Sequence, residues 1–209
     1  FDSEVLGFCN RGKQFPQFVV TAATSTVQSV MLPAMSRRQD DRKQLKALMR
    51  GTVSLTAFWI FPVMLGLAGV AKPLIYVVLT PKWLEAVPYM QIYCFTLAFY
   101  PIHSCNLQAI NAMGRSDIFL KLELIKKAIG ITALVIATTC FDSPIMIAAT
   151  GLITGLIACF INASPNKKLI GYSYLEQVRD ILPSFLIAAL MLGSVLAVGL
   201  LGLDHIVTL

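Results

Sequence analysis

Long apolar blocks separated by short charged connections set the pattern of this chain. No Asp, Glu, Lys or Arg occurs in residues 14–36, 51–71, 86–114, 143–166 or 181–203. Each block matches the roughly 20 residues that a helix needs to cross a hydrocarbon core. A further block, 118–141, carries Lys121, Glu123, Lys126 and Lys127 in its first half and is apolar from Ala128 onward. The pattern predicts an all-α, polytopic membrane bundle with about six transmembrane helices, over 15–36, 48–71, 86–114, 118–141, 143–166 and 181–203. In the charged block, Asp117 with Lys121 and Glu123 with Lys127 are spaced as i,i+4 pairs, acid first, opposite a stripe of Ile118, Leu122, Ile125 and Ile129. Such a helix enters the membrane obliquely, its charges at the interface or at the mouth of a cavity.

Composition supports a membrane reading. The chain is 56% hydrophobic and only 13% charged, with a mean hydropathy of +0.73, far more apolar than a soluble domain of 209 residues requires. The connections between spans must alternate between the two sides of the bilayer, which gives the basic residues a second use. Thirteen of the 17 Lys and Arg fall on one set of alternating connections and four on the other. The positive-inside bias places the richer set in the cytoplasm. Its centre is the run 36–50, with Arg37, Arg38, Arg42, Lys43, Lys46 and Arg50, expected as a topology marker and open to a role in contacting anionic lipid headgroups. Arg115 belongs to the same set, as an anchor or helix-end cap. Nucleic-acid binding is excluded, because no base-stacking or base-reading pattern accompanies the charge.

This topology puts both chain ends outside. Residues 1–14 read as the end of a preceding segment on the outer side, and 15–209 as a transmembrane lobe. With Phe1 in place of Met and no signal-peptide pattern, the expectation is that further helices precede it. The longest outer connection, 72–85, combines Pro73, Pro81, Lys82 and Trp83, which suggests a short interfacial helix and an aromatic anchor. Pro33, Pro62 and Pro101 are expected to bend their helices. Gly151 and Gly155 form a GxxxG that admits close helix approach. Five unclustered cysteines indicate neither a metal site nor a disulfide framework.

Polar residues within the spans carry the candidate chemistry, since a polar group in hydrocarbon needs a partner or water. Gln17, Thr21, Thr24 and Gln28 recur at helical spacing in the first span; Ser104, Gln108 and Asn111 do so in the third, with His103 and Asn106 nearby. Two such stripes either line a hydrated cavity or bond the helices to one another. No phosphate loop, metal-ligand spacing, nucleophile with a base or paired carboxylates occurs. No enzymatic activity and no cofactor or metal is therefore expected, and any transport must draw on another gradient or on removal of its product.

Four stretches carry a family resemblance. "LGFCNRG" resembles the L-G-x-Y-N-R-A pattern of polysaccharide-export flippases, "VMLPAMSR" their helix end before a cytoplasmic loop, "PKWLEAVPYMQI" their K-W-x-x-A-x-P segment, and "AINAMGRSD" their A-x-G-R-x-D turn. They occur in the family's order over residues 3–127, with Phe8-Cys9 and Gly12 as departures. The chain thus resembles the C-terminal lobe of a Wzx-like O-antigen or exopolysaccharide flippase of the multidrug/oligosaccharidyl-lipid/polysaccharide exporter superfamily. The resemblance implies transport of an undecaprenyl-pyrophosphate-linked oligosaccharide across a bacterial inner membrane, with an N-terminal lobe of the same protein and the polysaccharide polymerase machinery as partners. It implies Arg11 as a headgroup contact and Gln28, His103, Asn106, Gln108 and Asn111 along the substrate path. A structural subunit of a polysaccharide synthesis complex and an ion-coupled small-molecule exporter of the same superfamily are the alternatives.

Overall fold

The structure is a computed structural model describing residues 3–39, 41–141 and 143–200. The turn at Asp142 and the end of the last expected span, past residue 200, lie outside the described residues. Helices account for nearly all of what is described: α1 (Ser3–Ser36), α2 (Arg42–Gly69), α3 (Ala71–Leu79), a 3-10 turn (Pro81–Ala86), α4 (Val87–Ala98), α5 (Tyr100–Ala112), α6 (Ser116–Cys140), α7 (Pro144–Ile170) and α8 (Tyr174–Leu200). Backbone groups in hydrocarbon have no water to bond, so the chain satisfies them within helices.

Setting aside the short α3 and the 3-10 turn of the outer connection, and taking α4 and α5 together, the helices of the described residues form six rods, matching the six apolar blocks. Only α1, α2, α7 and α8 are individually long and apolar enough to cross a membrane among the described residues. The other two fall short for identifiable reasons. Pro101 has no N–H to donate to Leu97 and its ring crowds that carbonyl, so the 86–114 block breaks at Phe99 into helices of 12 and 13 residues. The first half of α6 carries the charges noted above. Residues 3–14 are continuous with the rest of α1, whose 34 residues extend about 51 Å against a hydrocarbon core of about 30 Å.

The connections alternate between the two ends of the bundle. At one end Lys46 of α2 meets Glu176 of α8 at 2.7 Å and Arg50 meets Asp180 at 2.7 Å. At the other end Arg11 of α1 lies 5.3 Å over the ring of Trp83, which also makes an edge contact with Phe8 at 5.8 Å. Residues 72–85 thus form the expected short helix and aromatic anchor, with Trp83 held against α1.

Sharp signals start and stop the helices at the first end. Asp41 caps α2, accepting from the Lys43 and Gln44 N–H groups at 2.9 and 3.1 Å, and the Gln44 amide group holds its carboxyl below the ordinary carboxylate range. Gly171, at φ 71°, ends α7 in the left-handed conformation. Ser173 and Glu176 then form a reciprocal capping box, in which Ser173 N–H donates to Glu176 Oε2 at 2.8 Å and Glu176 N–H donates to Ser173 Oγ at 3.3 Å.

The core lies where α2 meets α1, α5 and α8. Met35, Met49, Val53, Phe61 and Met64 are fully buried there, and Phe61 packs edge-on against Phe99 and Phe185, each at 5.4 Å. The opposite face of α2 exposes Leu55, Phe58 and Trp59, with Trp59 67% exposed. A helix apolar on all sides suits lipid on one face and packing on the other.

Glycines set how closely the rods approach. A Cβ on Gly12 would sit 2.8 Å from Ala86 O, Met90 N and Tyr89 Cβ, so α1 and α4 touch backbone to backbone. Gly69 has less severe neighbours, Leu192 and Val195 of α8 at 3.1 Å. The GxxxG of α7 packs on Thr96 of α4 at 3.6 Å from Gly151, an ordinary van der Waals contact.

Two glycine substitutions separate close packing from helix propensity. Gly12→Ala must part α1 from α4 and is expected to cost about 1–3 kcal/mol, read as a lower Tm of the detergent-purified protein. Gly51→Ala, where nothing lies within 4 Å, is expected to stabilise α2 by about 1 kcal/mol and to raise Tm in the same assay.

Candidate functional site

The two polar stripes do meet. Gln28 Nε2 of α1 donates to Ser104 Oγ of α5 at 3.2 Å, at the edge of a pocket of about 580 Å³ bounded also by α4, α6 and α7. Its polar lining includes Gln28, His103, Ser104, Gln108, Asn111, Glu123, Lys126 and Asn162. Residues 104, 107, 108 and 111 recur at helical spacing, so one face of α5 forms its wall.

Two charges of α6, Glu123 and Lys126, line this pocket. Glu123 pairs with Lys126 at 2.5 Å, and both are partly buried. Asp117 instead takes a two-pronged hydrogen bond from the Arg115 guanidinium, at 2.9 Å for each prong. The pairs read from sequence, Asp117 with Lys121 and Glu123 with Lys127, are therefore replaced. A planar guanidinium matches both carboxylate oxygens of Asp117 better than a flexible ammonium does, and Lys126 is the lysine that shares the pocket with Glu123. Arg115 holds the Asp117 carboxyl well below its ordinary range, at about 2.

Not every candidate faces the pocket. Asn106 is turned away into a buried amide cluster. Its Nδ2 donates to Gln177 Oε1 at 2.9 Å, Gln177 Nε2 donates back to Asn106 Oδ1 at 3.0 Å, and Asn166 Nδ2 donates to the same oxygen at 2.7 Å. The cluster ties α5 to α7 and α8. Helical geometry explains the split, since position 106 lies about 200° around the helix from 104, whereas 108 and 111 lie close to it. His103 is on the pocket floor, 8% exposed, with Asn162 Nδ2 3.4 Å from its Nδ1 and Cys159 Sγ 3.5 Å from its Nε2. On α1, Thr24 is buried while Thr21 and Gln28 are exposed.

Arg11 is not part of this pocket. It lies 17 residues before Gln28, about 25 Å along α1, in an open hollow with Asn10, Lys13, Gln14 and Trp83. It donates to Gln14 Oε1 at 3.0 Å, and Lys13 lies 5.7 Å from the ring centre of Tyr93. Neither has a carboxylate partner among the described residues. The basic run at the opposite end divides: Lys46 and Arg50 are bound to α8, whereas Arg37, Arg38, Arg42 and Lys43 stay exposed in and beside the turn between α1 and α2. Tyr172, fully buried, donates to Asp180 Oδ2 at 2.9 Å, and its burial pushes the phenol pKa up.

The arrangement offers hydrogen-bonding capacity in a chain otherwise coated with apolar groups. Gln108 Oε1 and Asn162 Oδ1 are buried pocket-lining acceptors without a donor among the described residues. Buried polar atoms are rarely left so, and such acceptors suit a hydroxyl-bearing guest. The sequence did not flag Glu123, Lys126 and Asn162 as site residues. Lys126 had the signal of a charge inside an apolar block, whereas Asn162 depends on the rotation of α7.

Residues 1–88 match the family model described as "Polysaccharide biosynthesis protein". The chain is 26% identical over 167 residues to the lipopolysaccharide biosynthesis protein WzxC of Escherichia coli (strain K12), covering 77% of this chain and 33% of that one. It is 28% identical over 112 residues to an uncharacterized membrane protein in the cps region of Klebsiella pneumoniae, covering 54% of this chain and 23% of that one. The solved structure of the lipid II flippase MurJ in an inward closed conformation matches with a TM-score of 0.71 at 21% identity, over 93% of this chain and 41% of that one. That likeness is one of fold. This chain spans about a quarter to a third of the length of these curated relatives. The resemblance to polysaccharide flippases carried by the motifs, and the all-helical membrane fold, are borne out by these matches.

The two faces of α5 are expected to respond differently to mutation. Asn106→Ala leaves Gln177 and Asn166 buried without their partner and is expected to lower stability by about 1–3 kcal/mol. Gln108→Ala removes an acceptor that bonds nothing among the described residues and is expected to leave the unfolding midpoint in detergent within error of the parent.

Proposed function

We propose that this chain forms one lobe of a carrier, not an enzyme, that moves an undecaprenyl-pyrophosphate-linked oligosaccharide from the inner to the outer face of a bacterial inner membrane for polysaccharide biosynthesis. The connection 37–50 lies on the cytoplasmic side, as its basic excess requires. The observation that carries this reading is the pocket between α1, α5, α6 and α7, with Gln28, Gln108, Asn111, Glu123 and Lys126 on its walls.

Its chemistry favours sugar over phosphate. Glu123 repels a bare phosphate and neutralises the nearby Lys126, while carboxylate, ammonium and amide groups all bond hydroxyls. Gln28, Gln108 and Asn111 therefore meet the glycan. His103 sits on the floor against α7, and Asn106 fixes the wall from behind. The pyrophosphate meets cations without a carboxylate partner, of which Arg11 and Lys13 stand at the end of α1 where release takes place. The polyprenyl tail stays in lipid, and a second lobe closes the path so that the two lobes expose it to each side in turn. An exporter of a small cation would need an acidic lining that Lys126 here offsets.

Complementation of a flippase-null strain by the intact protein, with membrane expression measured in parallel, tests this. The parent is expected to restore surface polysaccharide. Lys126→Ala and Arg11→Ala are each expected to insert normally and to lower export about tenfold, the scale of one lost charged hydrogen bond. A parent that inserts yet leaves lipid-linked precursor accumulating, across several glycan backgrounds, would move the chain to a structural role in the synthesis complex.

A further inference from the structure

A second concavity lies outside the polar pocket, between α1 and α2, at the end of the bundle that carries the basic run. It is an open groove of about 730 Å³. Val27, Val30 and Met31 of α1 face Leu48, Gly51 and Leu55 of α2 across it. Two of its three threonine hydroxyls are bonded to their own helices, Thr26 Oγ1 donating to Ala22 O at 3.0 Å and Thr52 Oγ1 to Leu48 O at 2.9 Å, and the third, that of Thr56, is hydrogen-bonded with Cys105. Gly51 widens the channel, since a Cβ there would meet nothing within 4 Å.

The groove has a charged mouth. Arg38 lines its end together with Gln44, and Gln44 is held by Asp41, to whose Oδ2 its Nε2 donates at 2.9 Å. Asp41 itself is spent on the cap of α2. Arg38 has no carboxylate partner among the described residues, and neither do Arg37, Arg42 or Lys43 alongside it. This contrasts with Lys46 and Arg50, one and two turns further along α2, which are both neutralised by α8. An apolar channel whose free charges, among the described residues, are cations at the interfacial end has the two-part chemistry of one class of molecule.

We infer that the α1–α2 groove is a binding site for an anionic phospholipid of the adjoining leaflet, with one acyl chain between Val30 and Leu55 and the phosphate of its headgroup on Arg38. The commitment is to a bulk membrane lipid and not to the transported species. The charge complementarity is with a compact anionic headgroup at the surface. The site does not depend on the transport reading, because the groove and the pocket use different faces of α1.

Lipid retention by the intact protein in detergent, followed by native mass spectrometry during titration with phosphatidylglycerol or phosphatidylcholine, tests the site. The parent is expected to bind phosphatidylglycerol about fivefold more tightly, the preference that one interfacial cation confers. Arg38→Gln is expected to abolish that preference while phosphatidylcholine binding is unchanged. Gly51→Phe fills the channel and is expected to weaken both lipids without lowering Tm, so loss of binding is separated from loss of fold. Equal retention of the two lipids by the parent, a preference that survives Arg38→Gln, or binding untouched by Gly51→Phe would each overturn the proposal. Displacement of phosphatidylglycerol by equimolar undecaprenyl phosphate would also overturn it, by assigning the groove to the carried lipid.

Discussion

The amide cluster of Asn106, Asn166 and Gln177 is the constraint on which the organisation of this bundle rests. Three amides closed off from water must satisfy one another or lose their hydrogen bonds altogether. Only one rotation of α5 about its axis lets Asn106 reach both α7 and α8. That rotation turns Ser104, Gln108 and Asn111 the other way, into the pocket. Hydrophobic packing could not make this choice, since α5 is largely surrounded by apolar neighbours and lipid offers no penalty for turning a leucine outward. A directional interaction behind the helix thus decides which groups stand in front of it.

Backbone constraints act together with this polar one. Gly12 lets α1 lie directly against α4, and Gly66 and Gly69 admit the side chains of α8 onto α2. Pro101 breaks the third rod at the level where α5 must turn its polar face toward α1, so the break and the pocket are adjacent. Where α2 and α8 leave the apolar layer, Lys46, Arg50, Glu176, Asp180 and Tyr172 continue the contact in charged form. Asp180, with a side chain only 8% exposed, meets an Arg50 side chain that is 54% exposed. Solvent at the exposed guanidinium screens that interaction, and its worth lies in fixing register more than in raw stability.

Much of the site was within reach of the sequence. The recurrences of Gln17, Thr21, Thr24 and Gln28, and of Ser104, Gln108 and Asn111, follow directly from 3.6 residues per turn; the second stripe lines the pocket, and of the first Gln28 reaches it. The same arithmetic separates Asn106 from that stripe by more than half a turn, yet the family resemblance puts Asn106 on the substrate path, and the structure turns it into the amide cluster instead. The apolar pattern starts the last span at residue 181, whereas the capping box of Ser173 and Glu176 starts α8 at Tyr174. Local pairing rules misled in α6, because they rank partners on one isolated helix surface. Arg115 lies outside the helix proper and could compete for Asp117 only once the turn was formed.

Periodicity and charge spacing determined the number of apolar blocks, their helical nature, the alternation of their ends and the polar faces of two of them, because those properties depend on neighbours within a turn or two. Tertiary structure decided which block breaks, which lysine answers Glu123, that Arg11 lines a hollow separate from the pocket, and that part of the basic run is consumed by α8. Those outcomes depend on which helices lie side by side, and in a chain apolar on nearly every face the hydrophobic pattern cannot say which face meets which.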